Sequence, residues 1–148
     1  MKNSLEQLEK ALGYSFRKKD LLFMALTHPS YAFENNLPSN ERLEFLGDAV
    51  LSLIVAEKLY QRCPLASEGR LSQRRAEFVQ KATLTEISQR LGLGRFLLLG
   101  KGEKKQGGER TPSNLANALE AVIGAIYLDG GIRPTRSFIQ RHFFKKSK

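Results

Sequence analysis

Residues 40–54, NERLEFLGDAVLSLI, contain the pattern that decides the fold of this chain. At about 100° per residue, Glu41, Glu44 and Asp48 fall within about 60° of one another on a helix. The other positions are almost all apolar, from Leu43 to Ile54. A helix that is apolar on nearly every side belongs in a core. The pattern therefore predicts a buried helix that carries one narrow seam of carboxylates.

Carboxylates on one seam of a buried helix repel one another and lose hydration unless a positive charge lies between them. A divalent cation is the simplest such charge. The alternative is that the seam faces water, as most acidic helix faces do. Little of this helix is left to form a wet side, so we favour the cation.

A second apolar helix is predicted for residues 113–128, SNLANALEAVIGAIYL, with Ser113 as its cap and Gly130-Gly131 as its end. Its strongly polar interior positions are Asn117 and Glu120, which share one face because they are three residues apart. Two buried helices with oxygen-bearing side chains predict one shared site for a hard cation. Mg²⁺ or Mn²⁺ suits such ligands better than zinc does.

Composition indicates one basic globular domain. In 148 residues, 24 Lys and Arg outnumber 15 Asp and Glu, for a net charge of +9. This balance favours polyanion partners, nucleic acid first and anionic membrane second, although solubility alone is an alternative. One cysteine, Cys63, suits a reducing cytoplasm. We find no signal peptide and no membrane span in the sequence, so we expect a cytoplasmic protein.

The rest of the chain is predicted to be mainly helical. Ser39 or Asn40 can cap the acidic helix, which continues to a break at Pro64. We expect His28 to be a structural hydrogen-bonder. Helices are predicted at residues 5–12, 21–26 and 84–91, a polar loop at 31–40, an exposed mobile loop at 101–112, and core-facing aromatics at Phe138, Phe143 and Phe144.

Basic residues accumulate in two places. One group lies at residues 70–81, a largely helical stretch, and the other lies in the Gly- and Lys-rich segment at residues 101–112. Such rows either contact phosphates or form solvated faces. The candidates for contact with the phosphates of a nucleic acid are Arg70, Arg74, Arg75, Lys101, Lys104 and Arg110.

Residues 41–51, ERLEFLGDAVL, resemble the signature of the ribonuclease III family of double-stranded-RNA endonucleases. Further matches follow in order: LTHPSY at 26–31, EGRLS at 68–72, LGKGE at 99–103 with glycines at 107–108, LEA at 119–121 and GAIYLD at 124–129. The resemblance covers nearly the whole chain. It implies an all-α fold, with a single compact helical endonuclease domain over residues 1–148.

The resemblance also implies a chemistry. Glu44, Asp48 and Glu120 would ligate Mg²⁺, with Mn²⁺ as a substitute, and Asn117 would complete the ligand set. A metal-activated water would then cleave duplex RNA, including rRNA and mRNA precursors, to 5′-phosphate and 3′-hydroxyl ends. No organic cofactor and no membrane is implied. Glu41 and Glu68 would support the ligands or contact RNA, and Phe45 would dock into a partner subunit of a homodimer.

Two departures from the family pattern matter. Most relatives have Asp where this chain has Asn117, so weakened Mg²⁺ binding that Mn²⁺ partly rescues is expected. A non-cleaving or weakly active RNA-binding protein is the alternative that this residue leaves open. Bacterial relatives usually add a double-stranded-RNA-binding domain, which is absent from this chain; low, salt-dependent RNA affinity is therefore expected. A basic DNA-binding protein is a third hypothesis, but no helix–turn–helix is evident.

Overall fold

The computed structural model describes residues 2–144, and side chains from residue 4 onward. This part of the chain is all-α, as the sequence predicts. In these residues the backbone also forms an isolated β-bridge, in which Thr27 pairs with Leu98 in parallel orientation. The helices are α1 (Lys2–Leu12), α2 (Lys19–Ala25), α3 (Pro29–Asn35), α4 (Glu41–Arg62), α5 (Glu68–Val79), α6 (Lys81–Leu91), α7 (Lys101–Lys105), α8 (Pro112–Gly130) and α9 (Ile132–Phe143). Short 3₁₀ turns occupy Leu93–Phe96 and Gly108–Arg110.

The core is built around the pair α4 and α8, which make the most extensive contact between any two of these helices. Helix α8 is buried along most of its length, because its apolar residues surround the axis and α2, α6 and α9 pack around it. Leu119, Ile123 and Ile126 are completely enclosed. The predicted buried helix at residues 113–128 is therefore confirmed.

Helix α4 differs from the prediction, because only one side of it is buried. Leu51, Ile54 and Val55 face the core. On the other side, Phe45 is 81% exposed, Leu53 61% and Tyr60 74%. The sequence could not distinguish an apolar face that packs inside the chain from one at its surface.

Helix ends agree with the sequence in part. Ser39 Oγ accepts the backbone N–H of Glu41 at 3.2 Å, whereas the Asn40 amide donates to the carbonyl of Ala25 at 3.1 Å. Helix α4 ends at Arg62, close to the break expected at Pro64. The cap predicted at Ser113 is wrong: α8 begins one residue earlier, at Pro112, without a side-chain cap.

Two segments predicted to be loops contain helices. Residues 31–35 belong to α3, whose first turn is capped by His28 Nδ1 accepting the N–H of Ser30 at 3.0 Å. The Gly- and Lys-rich segment forms α7 and a 3₁₀ turn, and Gly107 joins them with φ +79°. Hydrogen bonds to other elements hold this segment, so local composition underestimated its order.

The carboxyl-terminal aromatics Phe138, Phe143 and Phe144 are buried, as predicted. Phe144 stacks on Phe78 with ring centroids 4.4 Å apart, which fastens the end of α9 to α5. The lysines at positions 145, 146 and 148, near the carboxyl terminus, lie outside the described residues. Among the helices that are described, none has the length and apolar character needed to cross a bilayer.

Candidate metal centre

The two central helices meet at a pair of glycines, Gly47 on α4 and Gly124 on α8. A Cβ atom on Gly47 would overlap the carbonyl oxygen of Glu120 and lie 2.9 Å from the Gly124 nitrogen. A Cβ atom on Gly124 would overlap the carbonyl oxygen of Leu43. The backbones are therefore in direct contact, which only glycine permits. This crossing brings the acids of α4 next to Glu120.

Three predicted ligands meet beside this crossing. Glu120 is buried, with 9% of its surface exposed, while Glu44 is half-buried and Asp48 is exposed. Asp48 and Glu120 share a side-chain hydrogen bond, and the charges of Asp48 and Glu44 both act on Glu120. The cluster thus lies at the edge of the core, where one side can reach an external ligand.

Electrostatics in the cluster favour protonated carboxyl groups. Burial, the hydrogen bond with Asp48 and the charges of Asp48 and Glu44 raise the pKa of Glu120 to about 8. Burial and the charges of Glu41 and Asp48 also raise the pKa of Glu44. Within residues 4–144, no lysine or arginine side chain pairs with these four acids. No basic side chain of this described range neutralises them by an ion pair.

This donor set fits a hard divalent cation. Carboxylate oxygens are the ligands that Mg²⁺ and Mn²⁺ prefer, and a cation would offset the burial and the charge repulsion that raise the pKa values of Glu120 and Glu44. In the described part of the chain, no group of three or more acidic, histidine or cysteine side chains is arranged so that it could hold a metal ion without rearrangement of the side chains. The raised pKa of Glu120 favours a proton on this side chain instead, which is the other way in which close carboxylates become compatible.

Of the other predicted site residues, some lie close to the cluster and one lies far from it. Asn117 is half-buried on α8, one turn before Glu120. Glu41 is exposed in the first turn of α4 and accepts a hydrogen bond from Ser39 Oγ at 2.9 Å. Glu68 lies elsewhere, at the start of α5, where it lines a cavity with Tyr60. Since Tyr60 is twelve residues beyond Asp48 on one helix, about 18 Å separates Glu68's cavity from the cluster.

The predicted RNA-contacting residues are all exposed, on two separate elements. Arg70, Arg74 and Arg75 belong to α5; Lys101 and Lys104 belong to α7, with Arg110 following in the 3₁₀ turn. Arg74 and Arg110 each pair with a neighbouring glutamate, at 3.6 and 2.9 Å. Among residues 4–144, the remaining four candidates form no ion pair and are free to contact phosphates.

The sequence did not reveal a polar network beside the first turn of α8. His28 Nε2 lies 3.0 Å from Asn114 Oδ1, and the Asn114 amide donates to Glu103 Oε2 at 2.9 Å and to the Gly108 carbonyl at 3.1 Å. The partners are up to 86 positions apart in the sequence, so no spacing indicated the network. The structural role expected for His28 is confirmed by these bonds and by its cap of α3.

Comparisons with known proteins identify the family of the chain. A family model described as ribonuclease-III-like matches residues 18–147. The ribonuclease 3 of Carboxydothermus hydrogenoformans is 49% identical over 150 residues, covering 99% of this chain and 64% of the relative. The ribonuclease 3 of Pseudomonas aeruginosa is 50% identical over 139 residues, covering 94% of this chain and 59% of the relative. The chain thus spans somewhat under two thirds of these relatives.

Solved structures give the same result at the level of the fold. The nuclease domain of ribonuclease III from Campylobacter jejuni superposes with a TM-score of 0.91 at 42% identity and covers the whole of both chains. Dicer from Pichia stipitis gives 0.62 at 27% identity, covering 84% of this chain and 53% of that one. An all-α domain with acids at the crossing of two central helices is the class that these observations define. The chain belongs to the ribonuclease-III-like family.

Proposed function

We propose that this chain is the endonuclease domain of a divalent-metal-dependent ribonuclease that cleaves double-stranded RNA to 5′-phosphate and 3′-hydroxyl ends. The single observation that carries the proposal is the cluster of Glu44, Asp48 and Glu120, which has no cationic partner among residues 4–144. Membership of the family and the names of the relatives supply the reaction. Processing of rRNA and mRNA precursors in the cytoplasm follows as the proposed role.

In this proposal Glu44, Asp48 and Glu120 hold Mg²⁺, or Mn²⁺ in its place, and Asn117 contributes an amide oxygen. The bound ion would supply an activated water and neutralise charge on the leaving oxygen. Glu120 would have to lose its proton before it could hold the ion, because metal ligands must be deprotonated. Glu41, exposed at the rim and fixed by Ser39, supports this edge of the site or contacts RNA.

RNA would be held mainly through its phosphates. Exposed cations on α5 and α7 suit an A-form duplex, which proteins recognise largely by shape, phosphates and 2′-hydroxyls. Few base contacts imply weak sequence preference. Because the affinity is mostly electrostatic, binding by this chain should weaken steeply as salt rises.

We also propose that the working form is a homodimer, and α4 supplies the reason. Its exposed stripe begins at Phe45, passes Leu53 and ends at Tyr60. Beside Tyr60 lies a cavity of about 250 Å³, lined by Ala56, Leu59 and Leu71 among others. Benzene fits a cavity of ~150 Å³, so a phenyl ring would fit this one.

Phe45 cannot fill the cavity of its own chain, because about 20 Å of helix separates them. In a dimer with two copies of α4 packed antiparallel, each Phe45 would reach the cavity of the other chain. Each ring would insert beside Tyr60 of the partner subunit. The midpoint between positions 45 and 60 falls beside Leu53, which would meet its own copy at the two-fold axis. Glu68 of the partner subunit would then lie close to Asp48, which explains why Glu68 is remote within one chain.

Incubation of the purified chain with uniformly labelled duplex RNA and Mg²⁺ or Mn²⁺, at low salt, tests the proposed activity. We expect endonucleolytic products with 5′-phosphate ends, no products in EDTA, and a rate loss of at least ~100-fold for Asp48→Asn. Glu86→Gln, an exposed acid on α6, is the matched control. RNA binding without cutting in either metal would contradict the nuclease and favour the non-cleaving binder that Asn117 suggests. Equal competition by duplex DNA would favour a DNA-binding protein.

A further inference from the structure

The amino-terminal turn of α8 is fixed in an unusual way. Its cap residue, Thr111, makes no side-chain cap bond, and its first helical residue is Pro112. Asn114, at the third helical position, turns its amide outward to α7 and to the segment before α3. The turn is therefore held from the side by Asn114 instead of by a cap.

Asn114's partners determine how its amide is oriented. The Nδ2 group must point to Glu103 Oε2 and the Gly108 carbonyl, since both are acceptors. Oδ1 then faces His28 and accepts a hydrogen bond from Nε2–H. The other ring nitrogen of His28 already accepts the N–H of Ser30. One tautomer of His28 and one orientation of Asn114 satisfy every group in the network.

The network acts on the metal site through the geometry of α8. Backbone contact with α4 holds the helix from Glu120 to Gly124, and Asn114 holds it six residues, about 9 Å, before Glu120. Asn117 lies midway between Asn114 and Glu120. If the Asn114 end moved by 1 Å about the contact at Glu120, Asn117 would move by roughly 0.5 Å. Functional groups at such sites tolerate only about 0.5 Å.

We infer that Asn114 and His28 are positioning residues for the metal centre: their hydrogen bond sets the depth at which α8 presents Asn117 to the ion beside Glu120. The inference rests on the proposed metal-binding function. It assigns neither residue any contact with metal or RNA.

Two substitutions of His28 separate positioning from simple stability. His28→Asn keeps an oxygen where Nδ1 caps α3, but it has no donor that reaches Asn114. His28→Gln keeps a donor that reaches Asn114, but it has no acceptor near Ser30. A purely structural role would make the loss of the cap the more harmful change, because a lost cap lowers helix stability.

The experiment is a calorimetric titration of Mn²⁺ into the metal-free chain at pH 8.5, with melting temperatures measured in parallel. We expect His28→Asn to lower Mn²⁺ affinity roughly 3- to 10-fold with little change in melting temperature, below the 10- to 100-fold loss typical when a residue bonded to a ligand is removed. His28→Gln should bind Mn²⁺ like the unaltered chain and melt earlier. Asn114→Asp, which sets a carboxylate against Glu103, should weaken binding at least as much as His28→Asn.

Each outcome has a distinct meaning. Unchanged Mn²⁺ affinity in both His28→Asn and Asn114→Asp overturns the inference and leaves the proposed function intact. Equal losses of affinity in His28→Asn and His28→Gln also overturn it, since the link to Asn114 would not matter. No Mn²⁺ binding by the unaltered chain refutes the metal centre itself.

Discussion

Asp48 and Glu120 share a hydrogen bond across the crossing of α4 and α8, although 72 positions separate them in the sequence. Burial, this bond and the neighbouring charges raise the pKa of Glu120 to about 8. Near neutral pH the metal-free cluster therefore retains a proton that an exposed glutamate would have lost. Stability and metal binding both become dependent on pH for this reason.

Stability of the metal-free chain should fall as pH rises from about 4.5 to about 8. Over this range the folded state keeps a proton on Glu120 that the unfolded state releases, because folding raises the pKa from 4.5. The folded state therefore binds more protons, and the free energy of unfolding declines by up to about 1.4 kcal/mol per pH unit. Glu120→Gln cannot titrate. Urea unfolding in EDTA measures the free energy of unfolding of both proteins. The value for the variant minus the value for the unaltered chain should be about 1–3 kcal/mol larger at pH 8.5 than at pH 5.

The difference between the two proteins isolates Glu120, because Glu44 contributes to both curves in the same direction. If the free energies of unfolding of the two proteins differ by the same amount from pH 5 to 8.5, Glu120 has an ordinary pKa. The proton that the raised pKa places on Glu120 near neutral pH would then be absent from the folded state.

Metal should stabilise the chain more at pH 8.5 than at pH 6, because the proton on Glu120 competes with the ion. At a concentration 100 times Kd, binding adds about 2.7 kcal/mol to the free energy of unfolding. Thermal melts with and without Mn²⁺ measure the effect. Asp48→Asn should abolish most of it, whereas Glu86→Gln should keep it. An equal shift in Asp48→Asn would place the metal elsewhere.

Close contact between the helices at Gly47 should make this glycine irreplaceable. Gly47→Ala places a methyl group against the Glu120 carbonyl, so the helices must separate. We expect a loss of about 3 kcal/mol or more in chemical denaturation, at the upper end of the cost of overpacking. Gly102→Ala is the control, because its methyl group meets no atom within 4 Å and alanine favours the helix α7. Similar stability of the two variants would refute the backbone contact.

Phe45→Ala should convert a dimer to a monomer, because it removes the ring proposed to fill the partner's cavity. An interfacial aromatic of this kind is worth about 2–4 kcal/mol, or a 30- to 1,000-fold rise in the dimer dissociation constant. Phe33→Ala, also at an exposed phenylalanine, should leave the dimer intact, since Phe33 lies on α3 away from the stripe. Sedimentation analysis over a range of concentrations compares them. Dimers of equal stability in both variants would exclude the antiparallel α4 arrangement.

Local patterns were sufficient to predict the helices that build the site. The spacing of Glu41, Glu44 and Asp48 within an apolar run, and of Asn117 and Glu120 in a second one, predicted α4, α8 and a common acid face. These predictions succeed because the periodicity of a helix depends only on residues that are close together in the sequence. The two glycines that set the crossing were visible inside both apolar runs, where an isolated glycine often indicates close backbone approach.

What the sequence concealed depends on contacts between distant residues. Asn114 and Glu103 looked like ordinary polar residues near a loop until folding brought His28 beside them. Exposure of Phe45 could not be predicted from periodicity either, because an exposed apolar face of a helix has the same residue pattern as a buried one. Helix α7 was missed since its glycines and lysines favour loops when tertiary hydrogen bonds are ignored.

Asn117→Asp should strengthen Mg²⁺ binding more than Mn²⁺ binding. The substitution adds a carboxylate one turn from Glu120, and Mg²⁺ depends on charged oxygen ligands in near-ideal octahedral geometry. An amide oxygen is the poorer ligand, whereas Mn²⁺ binds most sites more tightly and tolerates the loss better. We expect Mg²⁺ affinity to rise about 10-fold, equivalent to about 1.4 kcal/mol, and the preference for Mn²⁺ to narrow. Calorimetric titration at pH 8.5 measures both ions, with Asn35→Asp on α3 as the control for added charge. Unchanged selectivity between the two ions would exclude Asn117 from the ligand set.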